Sequence, residues 1–174
     1  MEGTKNVKTL VEKAYKLGHE YEKTYRGCGQ CLAAAVQDAL DIRNDDIFKA
    51  LTGCAGGGGI IGDSGCGAYV GGILILGLLL GRERDNFADP GGIRFKSHEL
   101  VRKLHDRFIN EYGSIICRDI QTKVMGRPYY LTDKDDMDKF DKAGGHSTVC
   151  PRVVGKAASW MVELIRAENL LPRK

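Results

Sequence analysis

The 174-residue chain is poor in proline, with four, and has one tryptophan. No sign of charge dominates it. Twenty-six basic residues face 23 acidic ones, for a formal net charge of +3, and the basic residues form no block. That argues against nucleic acid as a partner. Long hydrophobic runs are missing too. The longest, AYVGGILILGLLL from Ala68 to Leu80, falls short of the roughly 20 apolar residues that cross a bilayer. It reads as a buried core helix, and no membrane partner is expected. The opening MEGTKNVKTLVEK lacks the apolar core of a secretory signal. A cytoplasmic location is the expectation. In a reducing compartment the six cysteines would not form a disulfide framework. Metal, cluster or redox chemistry then becomes the first explanation for them.

Strand signals are also few. GSII at 113–116 and YYLT at 129–132 are short and isolated, and there are no internal repeats. Helical periodicity fills the rest. Thr4 to Tyr25 carries Val7, Leu10, Val11, Ala14, Leu17 and Tyr21 on one stripe, with Thr4 as a candidate cap. A second helix is predicted from Gln30 to Leu40, and Asn44 is placed to cap a short third. Gly67 to Leu80 is apolar all round, as in a helix surrounded by others. Phe95 to Tyr112 is amphipathic, with Leu100, Leu104, Phe108 and Ile109 inward. A short helix follows Cys117, then a charged helix and loop in TDKDDMDKFDKAGG. The terminal helix runs from Cys150 to Asn169 with Pro151 in its first turn. The prediction is an all-α, single-domain bundle of about five to seven helices over residues 1–174. A central apolar helix follows a glycine-rich loop.

That loop, GCAGGGGIIGDSGCGAYVGG from Gly53 to Gly72, raises three possibilities. It could wrap a phosphate, gather sulfurs, or form a tight helix junction with cysteines as filler. It lacks the Lys-Ser/Thr of a P-loop and does not follow a strand, and Asp63 would repel a phosphate. Cys54 closes one predicted helix and Cys66 opens another, so intervening glycines could bring the two sulfurs together. Cys28 and Cys31 form CGQC at a helix start, where the helix dipole favours a thiolate. Cys117 and Cys150 also sit near helix starts. Core filling would scatter cysteines through helix interiors, although free cysteine is commonly buried. The spacings match neither a zinc finger nor a ferredoxin. A convergent sulfur site, buried structural thiols, a disulfide and zinc all stay open on spacing alone.

Five pieces together carry a resemblance: Cys31 with LAAAV, GCAGGG at 53–58, GCGAYVGGILILGL at 65–78, CRDI at Cys117 and CPRVVGKAA at Cys150. In this order, over about residues 25–160, they resemble the C–GCAxxG–C–C family of redox-active proteins. That family is found mostly in anaerobic and metal-reducing prokaryotes. It is similar to the non-haem part of split-Soret cytochromes, which is helical and carries an iron–sulfur cluster. The resemblance implies a cofactor site at Cys31, Cys54, Cys66, Cys117 and Cys150. Cys54, Cys66, Cys117 and Cys150 would be the metal ligands of an iron–sulfur cluster that air could strip. Cys28 stands outside the pattern and could make a catalytic dithiol with Cys31. An electron-transfer role with an unidentified redox partner follows, with a homodimer across Gly71 and Gly77 as a further expectation. The alternatives are a cofactor-free dithiol/disulfide protein and a non-catalytic helical module.

Other candidates are weaker. His146, four residues before Cys150, could be a fifth ligand or proton carrier but reads as a loop histidine. His98 and His105 share a basic face. Asp133, Asp135, Asp136 and Asp138 lack an EF-hand's glycine and glutamate and read as solvated charge. Tyr112, Tyr129, Tyr130 and Trp160 read as core or interface.

Overall fold

A computed structural model describes residues 2–171. They form eight α-helices: α1 (Glu2–Tyr25), α2 (Cys28–Leu40), α3 (Asp45–Ala50), α4 (Gly67–Leu79), α5 (Ile93–Tyr112), α6 (Cys117–Met125), α7 (Lys134–Lys142) and α8 (Cys150–Ala167). No strand occurs among the described residues. Each helix matches a helical segment read from the sequence, and the two short helices α3 and α7 begin at side-chain caps of their own. Asn44 accepts a hydrogen bond from the Ile47 N–H at 2.9 Å at the head of α3, as its sequence position predicts. Asp133 does the same for Asp136 N–H at 2.8 Å at the head of α7. Thr4 does not cap α1, which already begins at Glu2.

The centre is a packed group of α1, α2, α4 and α8, with α8 lying most extensively along α1. Ala14, Leu32, Val36, Ile75, Leu76, Val154, Met161 and Ile165 are among its fully enclosed side chains. Glycine sets the spacing between α2 and α4. A Cβ on Gly71 would lie 2.8 Å from the Gly29 carbonyl oxygen and 3.0 Å from Leu32, so the two backbones touch there. The far end of α4 departs from the all-buried expectation. Gly77 has no atom within 4 Å of its Cβ direction, and Leu78 is 42% exposed, because the neighbouring helices cover only the first turns. On α5 the inward set is Leu100, Leu104, Phe108 and Tyr112, whereas Ile109 is 37% exposed. Tyr112 takes the place expected of Ile109 because it lies one further turn along the Leu104–Phe108 row.

A second, smaller apolar cluster joins Tyr129, Leu131 and Phe140, backed by Ile60, Met125, Met137 and Cys150. Part of the acidic run holds it in place instead of facing solvent. Buried Asp136 takes Arg127 at 2.6 Å and the Tyr130 N–H at 2.8 Å, pinning the segment before α7. Tyr112 and Tyr129 are buried as expected, while Tyr130 is 67% exposed.

The glycine contacts give opposite expectations along one helix. Gly71→Ala should lose about 1–3 kcal/mol by forcing α2 from α4. Gly77→Ala, in open space, should gain about 0.5–1 kcal/mol from helix propensity. Denaturant unfolding of the two variants checks this. Equal effects would contradict the packing described.

Candidate functional site

Four cysteines occupy the first position of an α-helix or the residue just before it. Cys28 opens α2, Cys66 precedes α4, Cys117 opens α6 and Cys150 opens α8. All four line one cavity of about 210 Å³ between the main core and the smaller cluster. No side chain caps the heads of α2, α4 or α6. Their first-turn N–H groups therefore put partial positive charge near three of the sulfurs. α8 differs, since it runs on from a π-helical turn at Gly145–Val149, and the Cys150 N–H bonds back to the Gly145 carbonyl.

Local pairing explains why Cys66 and Cys117 meet. The GSII segment makes the isolated antiparallel bridge Gly65–Ile116. Cys66 N–H donates to Ile115 O at 2.8 Å, and Cys117 N–H to Ser64 O at 3.0 Å. The weak strand signal in GSII is thus the join that sets the backbones of Cys66 and Cys117 side by side. Cys28 enters from α2, after the left-handed turn at Arg26 and Gly27 (φ 60° and 88°) that ends α1.

The glycine loop covers these sulfurs. Gly56, Gly57, Gly58 and Gly59 all have positive φ, a backbone path that residues with a Cβ rarely follow. The coil closes on itself through Gly59 N–H to Gly53 O at 2.8 Å and Gly62 N–H to Gly56 O at 2.9 Å. A Cβ on Gly57 would lie 2.7 Å from the Cys117 Cβ, and one on Gly67 would run into the Cys28 sulfur. The Cys66 thiol and burial drive the Cys28 thiol well above its ordinary range, against a Gly56 N–H that favours the thiolate. The loop is glycine-rich because its backbone is packed directly on cysteines.

The expected ligand set is therefore placed differently. Cys66, Cys117 and Cys150 line the cavity; Cys54 does not, and Cys28 does. Cys54 ends a 3₁₀ turn ahead of the coil, half-buried against the main core. Cys31 is buried outside the cavity wall, its thiol donating to the Arg26 carbonyl at 3.1 Å. Position at a helix start rather than a helix end separates the cavity cysteines from Cys54. Because α2 begins at Cys28 and not at Gln30, that signal also includes Cys28. Among the described residues no three His, Cys, Asp or Glu side chains are grouped to hold a single metal ion.

Cavity residues outside the cysteine pattern shape its electrostatics. Glu22 is 3% exposed and its Oε2 has no hydrogen-bond partner. Burial pushes its carboxyl up to about 7, against the opposing pull of Cys31 and Arg26. Glu22 gives one sequence signal, since it continues the four-residue stripe of buried Ala14 and Gly18. Burial likewise pushes the Cys117 thiol up to about 12, against the Gln121 amide, which donates to it at 3.6 Å. Cys150 is driven well above the ordinary thiol range by burial and by nearby Glu22. His146 also lines the cavity. Its Nδ1 meets Asp141 at 2.5 Å, its ring stands edge-on to Phe140, and Asp141 in turn meets Arg26 at 3.6 Å. It is a fixed, mostly buried histidine, not the solvated loop residue expected.

A helical bundle that turns four cysteines from four helices into one cavity defines a cysteine-centred, all-α protein. Residues 26–164 match the family described as "Putative redox-active protein (C_GCAxxG_C_C)", and the chain belongs to that family. No curated protein and no solved structure matches the chain. The likeness to split-Soret cytochromes stays an expectation from the motifs. No described helix is long and apolar enough to cross a membrane.

Glu22 makes the stability of the fold depend on pH. Its folded carboxyl keeps a proton up to about pH 7, whereas the unfolded one loses it near 4.5. The native state thus binds the extra proton in that window, and stability falls as pH rises through it. Glu22→Gln should remove this fall and exceed the parent by about 1–3 kcal/mol above pH 7, with little difference at pH 4. Denaturant unfolding at several pH values reads the difference. Parallel pH curves would contradict the assignment.

Proposed function

We propose that Cys28, Cys66, Cys117 and Cys150 hold an iron–sulfur cluster and that the protein transfers electrons through it. The observation behind this reading is the arrival of four sulfurs, each from the head of a separate helix, at one cavity of about 210 Å³. Thiolates are the usual ligands of such clusters. An iron–sulfur cluster, when bound, takes up and releases single electrons.

The chain's own residues supply the rest. The heads of α2, α4 and α6 place partial positive charge beside sulfurs that must carry negative charge. The Gly56 N–H favours the Cys28 thiolate, the kind of contact that tunes a cluster. Ile120, Phe140, Val153 and Val154 line the cavity with apolar surface. The raised thiols of Cys28, Cys117 and Cys150 would stay protonated until a cation displaces their protons.

A second reading rests on the Cys28 and Cys66 thiols, which line the same cavity and act on each other electrostatically. Oxidation would join their sulfurs in a disulfide. Two protons and two electrons would pass to a substrate disulfide, which leaves as two thiols.

Purification under nitrogen separates the readings. The cluster reading expects a brown protein containing iron and acid-labile sulfide. Cys28→Ser and Cys117→Ser should lose most of that iron, and Cys54→Ser should keep it. A colourless, iron-free protein that loses two titratable thiols on mild oxidation would support the disulfide reading instead. A colourless protein with six thiols before and after oxidation would contradict both.

A further inference from the structure

Glu22 is the cavity group that the cysteine arrangement leaves unexplained. Its side chain is almost wholly enclosed, and Oε2 has no donor. Leaving a buried polar atom unmatched costs about 1–3 kcal/mol, and an apolar residue would suit a stripe position that follows Ala14 and Gly18. Arg26, one turn further on, does not neutralise it fully. Its side chain is half exposed and pairs with Asp141 at 3.6 Å. The carboxyl stands within electrostatic reach of Cys28, Cys31 and Cys150. Glu22 lines the same cavity as Cys28, Cys66, Cys117 and Cys150.

We propose that Glu22 Oε2 is a fifth ligand to the cavity's metal cluster, an oxygen donor beside the four cysteine sulfurs. The inference rests on the cluster reading and adds a hard donor to a soft set. Iron accepts both kinds of donor, whereas a copper(I) site is chosen by sulfur alone. The iron bound by Glu22 would differ from its neighbours in ligand type. Its departure would be easier once the carboxylate is removed.

The test compares the anaerobically prepared full chain with Glu22→Gln and Glu22→Asp. Mössbauer spectra of the ⁵⁷Fe-loaded parent should show a minority iron subsite distinct from the rest. Glu22→Gln should lose that subsite and release iron to a chelator about tenfold faster. Glu22→Asp, which keeps the carboxylate, should restore part of both. A merely structural role would leave the subsites unchanged. A parent with iron and sulfide but uniform iron subsites would overturn the inference and leave the cluster reading standing. So would a Gln variant with parental spectrum and release rate. A parent without iron or sulfide would overturn both. The parent spectrum decides the matter even if a variant does not fold.

Discussion

The cavity depends on how closely backbone can approach sulfur. At Gly57 and Gly67 the main chain lies where any Cβ would strike Cys117 or Cys28. At Gly71 the backbones of α2 and α4 touch. A side chain at these points would push the helix heads apart, and the cysteines with them. Since α2, α4 and α8 also form the core, the same contacts that stabilise the bundle aim its helix heads at one point. Stability and site are therefore not separable at these glycines, and close packing transmits a change at one to the other.

Much of this could be read from the residues. Periodicity located the long helices, and Asn44 marked the start of α3. Clustered glycines beside cysteines pointed to a site, and the ordered motifs pointed to its family. The departures from the expected placement have local causes. Cys54 and Cys66 are neighbours in the motif, yet Cys54 ends a 3₁₀ turn and a self-bonded coil separates it from Cys66, so Cys54 does not line the cavity. Cys28 looked incidental because α2 was expected to begin two residues later. GSII is too short to be a strand, yet its one bridge sets Cys66 beside Cys117. Glu22 and Gln121 are ordinary polar residues of amphipathic helices in one dimension. Only tertiary packing encloses them.

The cavity is also an unfavourable place for isolated charge. Buried thiols there hold their protons, and Glu22 does so up to about pH 7. Helix heads and the Gly56 N–H act the other way. Such a balance keeps the cavity near neutral and would let it become anionic if a cation entered. Proton release on loading is the physical link between the fold's electrostatics and the proposed chemistry.

The central claim is that Cys28, Cys66, Cys117 and Cys150 act as one set that excludes Cys54. Site-resolved alkylation of the anaerobic protein, with mass spectrometry before and after chelation, tests it most directly. The account predicts that those four thiols are protected together and become reactive together when chelator is added, while half-buried Cys54 reacts in both samples. Protection of Cys54 with Cys66, Cys117 and Cys150 while Cys28 reacts freely would contradict it.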